Sequence, residues 1–115
     1  MNPVEVDAKI LELCDLLERQ AGESAALAVK AAESEARYRR AVATTQLRVR
    51  SEMSSEKPTE GRVDAEVTVR VSGLLAERLI AEAKSTSARD VMFATRARID
   101  ALRTIAASMR EAARG

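Results

Sequence analysis

Residues 51–61 read Ser-Glu-Met-Ser-Ser-Glu-Lys-Pro-Thr-Glu-Gly, and they hold the only strong linker signal in the chain. Pro58 disfavours helical backbone at Lys57, the serines and Gly61 loosen the stretch, and Thr59 suits the N-cap of whatever follows. The break divides 115 residues near their middle, as a helical hairpin would.

Upstream of the break, Val6, Ile10, Leu13 and Leu17 recur every three or four residues, which is one face of a helix. The stripe weakens through Gln20 and Ser24, then returns at Leu27, Ala31, Tyr38, Val42, Val49 and Met53. Gly22 is its one weak point, costing up to ~1 kcal/mol against Ala. A helix of this extent is about 75 Å long at 1.5 Å per residue, too long for so short a chain to surround. It must lie against an equally long partner, in the same chain or in another copy.

Downstream, Val63, Val67, Val71, Leu74, Leu75, Leu79 and Ile80 carry a second stripe. Residues 67–71 alternate with period two and are β-branched, so a short strand competes there, but helical spacing on both flanks favours helix. Residues 84–90 are polar, and Ser87 with Asp90 has capping-like spacing, so a break or kink is as well supported as continuity. Beyond it Met92, Ile99 and Ala106 repeat every seven residues, interleaved with Thr95, Leu102 and Met109, which is a heptad seam. The expectation is a single all-α domain built as a long helical hairpin or coiled-coil-like bundle. Its parts are a helix over about 4–54, a linker over about 54–60, and a helix or kinked helix pair over about 60–113. With aromatics at 2% and much of the 46% hydrophobic fraction in alanine, there is little core material, so assembly as a homo-oligomer is expected.

The residue types argue against catalysis. Histidine is absent, and the single cysteine, Cys14, sits among Ile10, Leu13 and Leu17 as a structural thiol would. No Gly-rich phosphate loop or zinc-ligand spacing occurs, so neither an enzyme nor a bound metal or cofactor is expected. The first residues include Glu5 and Asp7 rather than a basic segment before an apolar run, and no stretch approaches ~20 apolar residues. A cytoplasmic protein without membrane contact is expected.

Net charge is only +1, yet its distribution is uneven. Residues 1–30 carry six carboxylates against three basic groups, residues 37–50 carry five arginines and no acid, and residues 89–115 carry six arginines against three acids. Such asymmetry directs attention to anionic partners. Arg37 and Arg48 fall within ~20° of each other on a helix, as do Arg39 and Arg50, because eleven residues make three turns. These arginines, with Arg40, flank the line Tyr38, Val42, Val49. Arg89, Arg96, Arg103 and Arg110 form a second ridge at seven-residue spacing. Both rows have two readings: stems laid over a seam with heads paired to acids on a neighbouring helix, or a track for phosphates. With one Tyr and one Phe, base stacking could contribute little.

Three segments resemble the UvsY-like recombination mediators of phages. They are Ser34-Glu-Ala-Arg-Tyr-Arg-Arg through Arg48-Val-Arg50, the linker Ser55-Glu-Lys-Pro-Thr-Glu60 followed by Asp64-Ala-Glu66, and Arg96-Ala-Arg-Ile-Asp-Ala-Leu-Arg103. The resemblance covers roughly residues 30–110. It implies a homo-oligomer that binds single-stranded DNA and helps load a RecA-type recombinase past single-strand-binding protein. It places DNA contacts at Arg37, Arg39, Arg40, Arg48 and Arg50. Arg89, Arg96 and Arg103 join them as candidates from the spacing alone. The chain departs from the family in using arginine where lysine is common and in having fewer aromatics. The alternative is a structural or adaptor coiled coil, serving phage assembly or regulation, that binds no nucleic acid.

Overall fold

In a computed structural model that describes every residue from Met1 to Gly115, the chain is two helices joined by a short turn. Helix α1 runs Pro3–Glu52 and helix α2 runs Glu60–Arg114. A single 3-10 turn, Ser54–Glu56, stands between them. There is no strand, so the alternating residues 67–71 are helical: Val67 and Val71 are buried and Val69 is 68% exposed. Residues 84–90 do not interrupt α2. Their spacing explains why. Ser85 is buried and Ala88 half-buried, four and seven residues beyond the half-buried Ala81, so small and polar side chains continue the stripe without changing its phase.

Local chemistry fixes each end. At the start of α1, Asn2 caps the helix: its Oδ1 accepts from the Glu5 N–H at 2.9 Å, while its own backbone N–H donates to Glu5 Oε2 at 3.4 Å and its Nδ2 to Glu5 Oε1 at 3.0 Å. This reciprocal capping box, with Pro3 at the first helical position, satisfies donors that a helix start leaves orphaned. Thr59 caps α2, its Oγ1 accepting from the Arg62 N–H at 3.2 Å, as its position after Pro58 suggested. Between them Lys57 takes φ +49°, the only residue with positive φ, and turns the chain.

The chain divides into two compact units, each drawing on both helices: residues 1–27 with 85–115, and residues 28–84. The turn-side unit has a core of Val49, Val63, Val67 and Val71, against which Tyr38, Ala41, Val42 and Met53 pack. The terminal unit buries Val6 and Leu13 on α1 with Thr95, Ile99 and Ala106 on α2. From Val6 to Thr45 on α1 and from Val71 to Met109 on α2 the inward positions step by three and four. Nearer the turn both helices step by four twice, through Val49 and Met53 on α1 and through Val63, Val67 and Val71 on α2. Such a stutter locally unwinds a left-handed supercoil.

Because Val49 is fully buried whereas Leu47 is 73% exposed, truncation should separate them. Val49→Ala is expected to cost about 2 kcal/mol and Leu47→Ala less than ~0.5 kcal/mol, read by urea unfolding followed by helical circular dichroism. Equal losses would contradict this packing. Lys57→Gly is expected to stabilise by up to about 1 kcal/mol in the same assay, since glycine adopts positive φ without a side-chain penalty.

Candidate nucleic-acid interface

The arginines on the two helices meet different surroundings, and the difference follows the two units. In the turn-side unit, register brings opposite charges together across the hairpin. Arg37 Nη1 lies 3.4 Å from Glu77 Oε2, and Arg50 holds Glu60 with two bonds, Nη1 to Oε1 at 2.6 Å and Nη2 to Oε2 at 2.7 Å. Arg70 of α2 reaches Glu52 of α1 at 2.6 Å and its own-helix neighbour Glu66 at 2.9 Å. Arg39 pairs within α1, its Nη2 2.8 Å from Glu35 Oε1. Arg40 and Arg48 have no carboxylate within ion-pair distance and are exposed. The basic stretch 37–50 is thus divided: Arg37, Arg39 and Arg50 are engaged by carboxylates, and Arg40 and Arg48 stand out from them.

Arg78 occupies a seam position. Its guanidinium lies 5.1 Å from the centroid of the Tyr38 ring and 3.1 Å from Glu82. Its pKa is raised first by the Glu82 hydrogen bond, in a site that pairs a cation with a ring face. Arg62 pairs with Glu56 of the turn at 2.7 Å. Arg62, Arg70 and Arg78 were not among the sequence candidates, and each is engaged by at least one carboxylate.

In the terminal unit no ion pair crosses between the helices, although α1 is acidic there and α2 basic. Lys9–Glu12, Arg103–Asp100 and Arg114–Glu111 are the ion pairs of this unit, each within one helix, the two arginine pairs stretched to 3.8 and 3.9 Å. Arg89, Arg96, Arg98 and Arg110 have no acid partner. Arg96 lies 5.8 Å from the centroid of the exposed Phe93 ring. The row Arg89, Arg96, Arg103 and Arg110 is exposed throughout, and seven-residue spacing keeps it on one flank of α2 over roughly 32 Å of axis. Arg98, also exposed and unpaired, was missed by the sequence reading because it falls off that row.

Cys14 is half-buried and free, and no group of three His, Cys, Asp or Glu side chains gathers to hold a metal ion. Neither helix is long and apolar enough to cross a membrane. No known protein-family model matches the chain, and no curated protein or solved structure matches it.

The cross-helix pairs carry a pH signature. Hydrogen bonds from Arg50 and Arg70 hold the Glu60 and Glu52 carboxyls below the usual 4.5. A carboxyl whose folded pKa is depressed contributes stability that is complete above its unfolded value and is lost as pH falls through the folded one. The melting temperature is therefore expected to drop from about pH 5 toward pH 3, and Glu52→Gln with Glu60→Gln should start lower at neutral pH and drop less. Parallel profiles for the two proteins would show that these pairs contribute nothing.

Proposed function

We propose that this hairpin is a single-strand-DNA-binding accessory protein of recombination, acting as a homo-oligomer that helps a RecA-type recombinase displace single-strand-binding protein. The observation that carries the DNA-binding part is the row Arg89, Arg96, Arg103 and Arg110: exposed, collinear, and held by no carboxylate except the 3.8 Å contact of Arg103 with Asp100. Guanidinium groups set at ~10 Å intervals along a rod can follow an extended polyanion, each exchanging condensed counterions for a phosphate. Arg40 and Arg48 add a second, smaller source of unpaired positive charge. The role in recombination, and the choice of DNA over other polyanions, rest on the resemblance to UvsY-like mediators.

A second reading is favoured by a separate observation. Arg37, Arg50 and Arg70 are spent in cross-helix pairs, which is how a structural or adaptor coiled coil uses its flanking arginines.

Titration of labelled oligo-dT with salt variation separates the two. On the first reading the affinity falls with salt at a slope near −0.7 per phosphate, and Arg96→Gln with Arg103→Gln reduces that slope by about 1.4. Arg37→Gln, which removes an already paired charge, changes it by much less. A folded protein that fails to bind oligo-dT at ~50 mM salt, where phosphate contacts are strong, belongs to the adaptor reading.

A further inference from the structure

Eleven large apolar side chains remain exposed on this chain, outside the seam that joins the two helices. In the terminal unit that surface is ordered. On α1, Val4, Ala8, Leu11, Asp15, Glu18 and Gly22 repeat at alternating four- and three-residue steps, a second row distinct from the seam residues Val6 and Leu13. On α2, Val91, Ala94, Arg98, Ala101 and Ile105 form another, distinct from Thr95, Ile99 and Ala106. Val4 and Leu11 are 77% and 67% exposed, and Val91 and Ile105 are 53% and 45% exposed. Asp15, Glu18 and Arg98 are exposed and have no ion-pair partner. A side chain at Gly22 would meet nothing within 4 Å, so nothing in the chain's own packing requires a glycine there.

The two rows match when run antiparallel. Opposing Leu11 to Ile105 opposes Asp15 to Ala101, Glu18 to Arg98 and Gly22 to Ala94, because every step of three or four on one helix meets the same step on the other. The single basic residue of the α2 row falls on an acid of the α1 row, Leu11 falls on Ile105, and Val4 and Val91 fall on Ala112 and Ala25. A hairpin cannot make this contact with itself, since its two helices already face each other through different residues.

We propose that the α1 row of one copy seats against the α2 row of a second copy, with Leu11 packed on Ile105 and Glu18 paired to Arg98 across the contact. Each copy offers one row of each kind, so the contact is head-to-tail and propagates or closes into a ring. The antiparallel sense is the one that neighbouring hairpins pointing the same way present to each other. Both halves being encoded in one chain, in step and of opposite charge, makes a second copy the occupant. The row Arg89, Arg96, Arg103 and Arg110 takes no part in the contact and stays free.

This inference rests on the homo-oligomer part of the proposed function and not on DNA binding. Its test reads mass alone: sedimentation equilibrium of the full chain at micromolar concentration, with helicity followed by circular dichroism. Wild type is expected to assemble, Glu18→Arg and Arg98→Glu each to weaken association at least about tenfold, and the double charge swap to restore it to within about threefold. Leu11→Asp should leave a helical chain that no longer assembles, since Leu11 lies outside the seam. Three results would overturn the assignment: a wild type of single-subunit mass, single variants that assemble like wild type, or a double swap as weak as either single. An assembly indifferent to the swaps leaves the DNA reading standing, and oligo-dT binding that fails leaves the contact standing.

Discussion

The structure depends on a narrow line of helix-to-helix packing whose width is one residue in every three or four. Along it the large apolar side chains are concentrated near the helix ends, Val6 and Leu13 with Ile99 in one unit, Val49 with Val63, Val67 and Val71 in the other. Between those clusters Leu27 on α1 and Leu74 and Leu75 on α2 also face inward, but small or polar residues hold many of the positions around them: Gln20, Ser24, Ala31 and Ser34 on α1, Ala81, Ser85 and Ala88 on α2. Small side chains there contribute little hydrophobic free energy. They also leave polar atoms to be satisfied. Thr95 and Ser85 are buried, and while the Thr95 hydroxyl donates to the Val91 carbonyl at 3.2 Å, Gln20 Oε1 is buried without a partner. An orphaned acceptor of this kind costs stability. What a seam so thin in apolar mass gains from its exceptions is register: sliding one helix by a heptad would take Arg78 off the Tyr38 ring.

Charge is used in two ways on the same scaffold. Where register sets acids opposite arginines, as at Arg50–Glu60 and Arg70–Glu52, guanidinium groups become part of the hairpin. Where it does not, the same residue type stands free. The difference lies in which heptad positions the acids occupy. In the terminal unit Glu5, Glu12, Asp15 and Glu18 are exposed on α1 away from the seam, out of ion-pair reach of every arginine of α2. An acidic helix beside a basic one thus remains polarised instead of neutralising itself.

Much of the fold was legible in residue types and spacing. The linker, the Thr59 cap and the stripe from Val6 to Met53 all follow from local chemistry that acts at short range. The polar stretch 84–90 was harder to read, because composition there suggests a break while phase does not, and it is phase that Ser85 and Ala88 preserve. The Asn2 cap had a local signal as well, a side-chain acceptor immediately before Pro3 and three residues before Glu5. The candidate site was legible only in part. Unpaired positions such as Arg89 and Arg96 could be named from their spacing, but the fate of Arg37 and Arg50 turned on Glu77 and Glu60. Those partners lie 40 and 10 residues away and meet them only once the register is known.

The unit at the turn is one uninterrupted stretch of chain, residues 28–84, whereas the other is assembled from the two ends. Closing the first requires only the turn, but the second asks two termini separated by that whole stretch to find each other, an entropic demand that falls sharply once the inner stretch is folded. Order is therefore expected to spread outward from Pro58 as the molecule forms, and loosening to begin at Met1 and Gly115, a gradient that amide hydrogen exchange would read directly. The free arginine row sits in the half that settles last, so a bound polyanion that bridged it would also act as a clasp on the most easily opened part of the molecule.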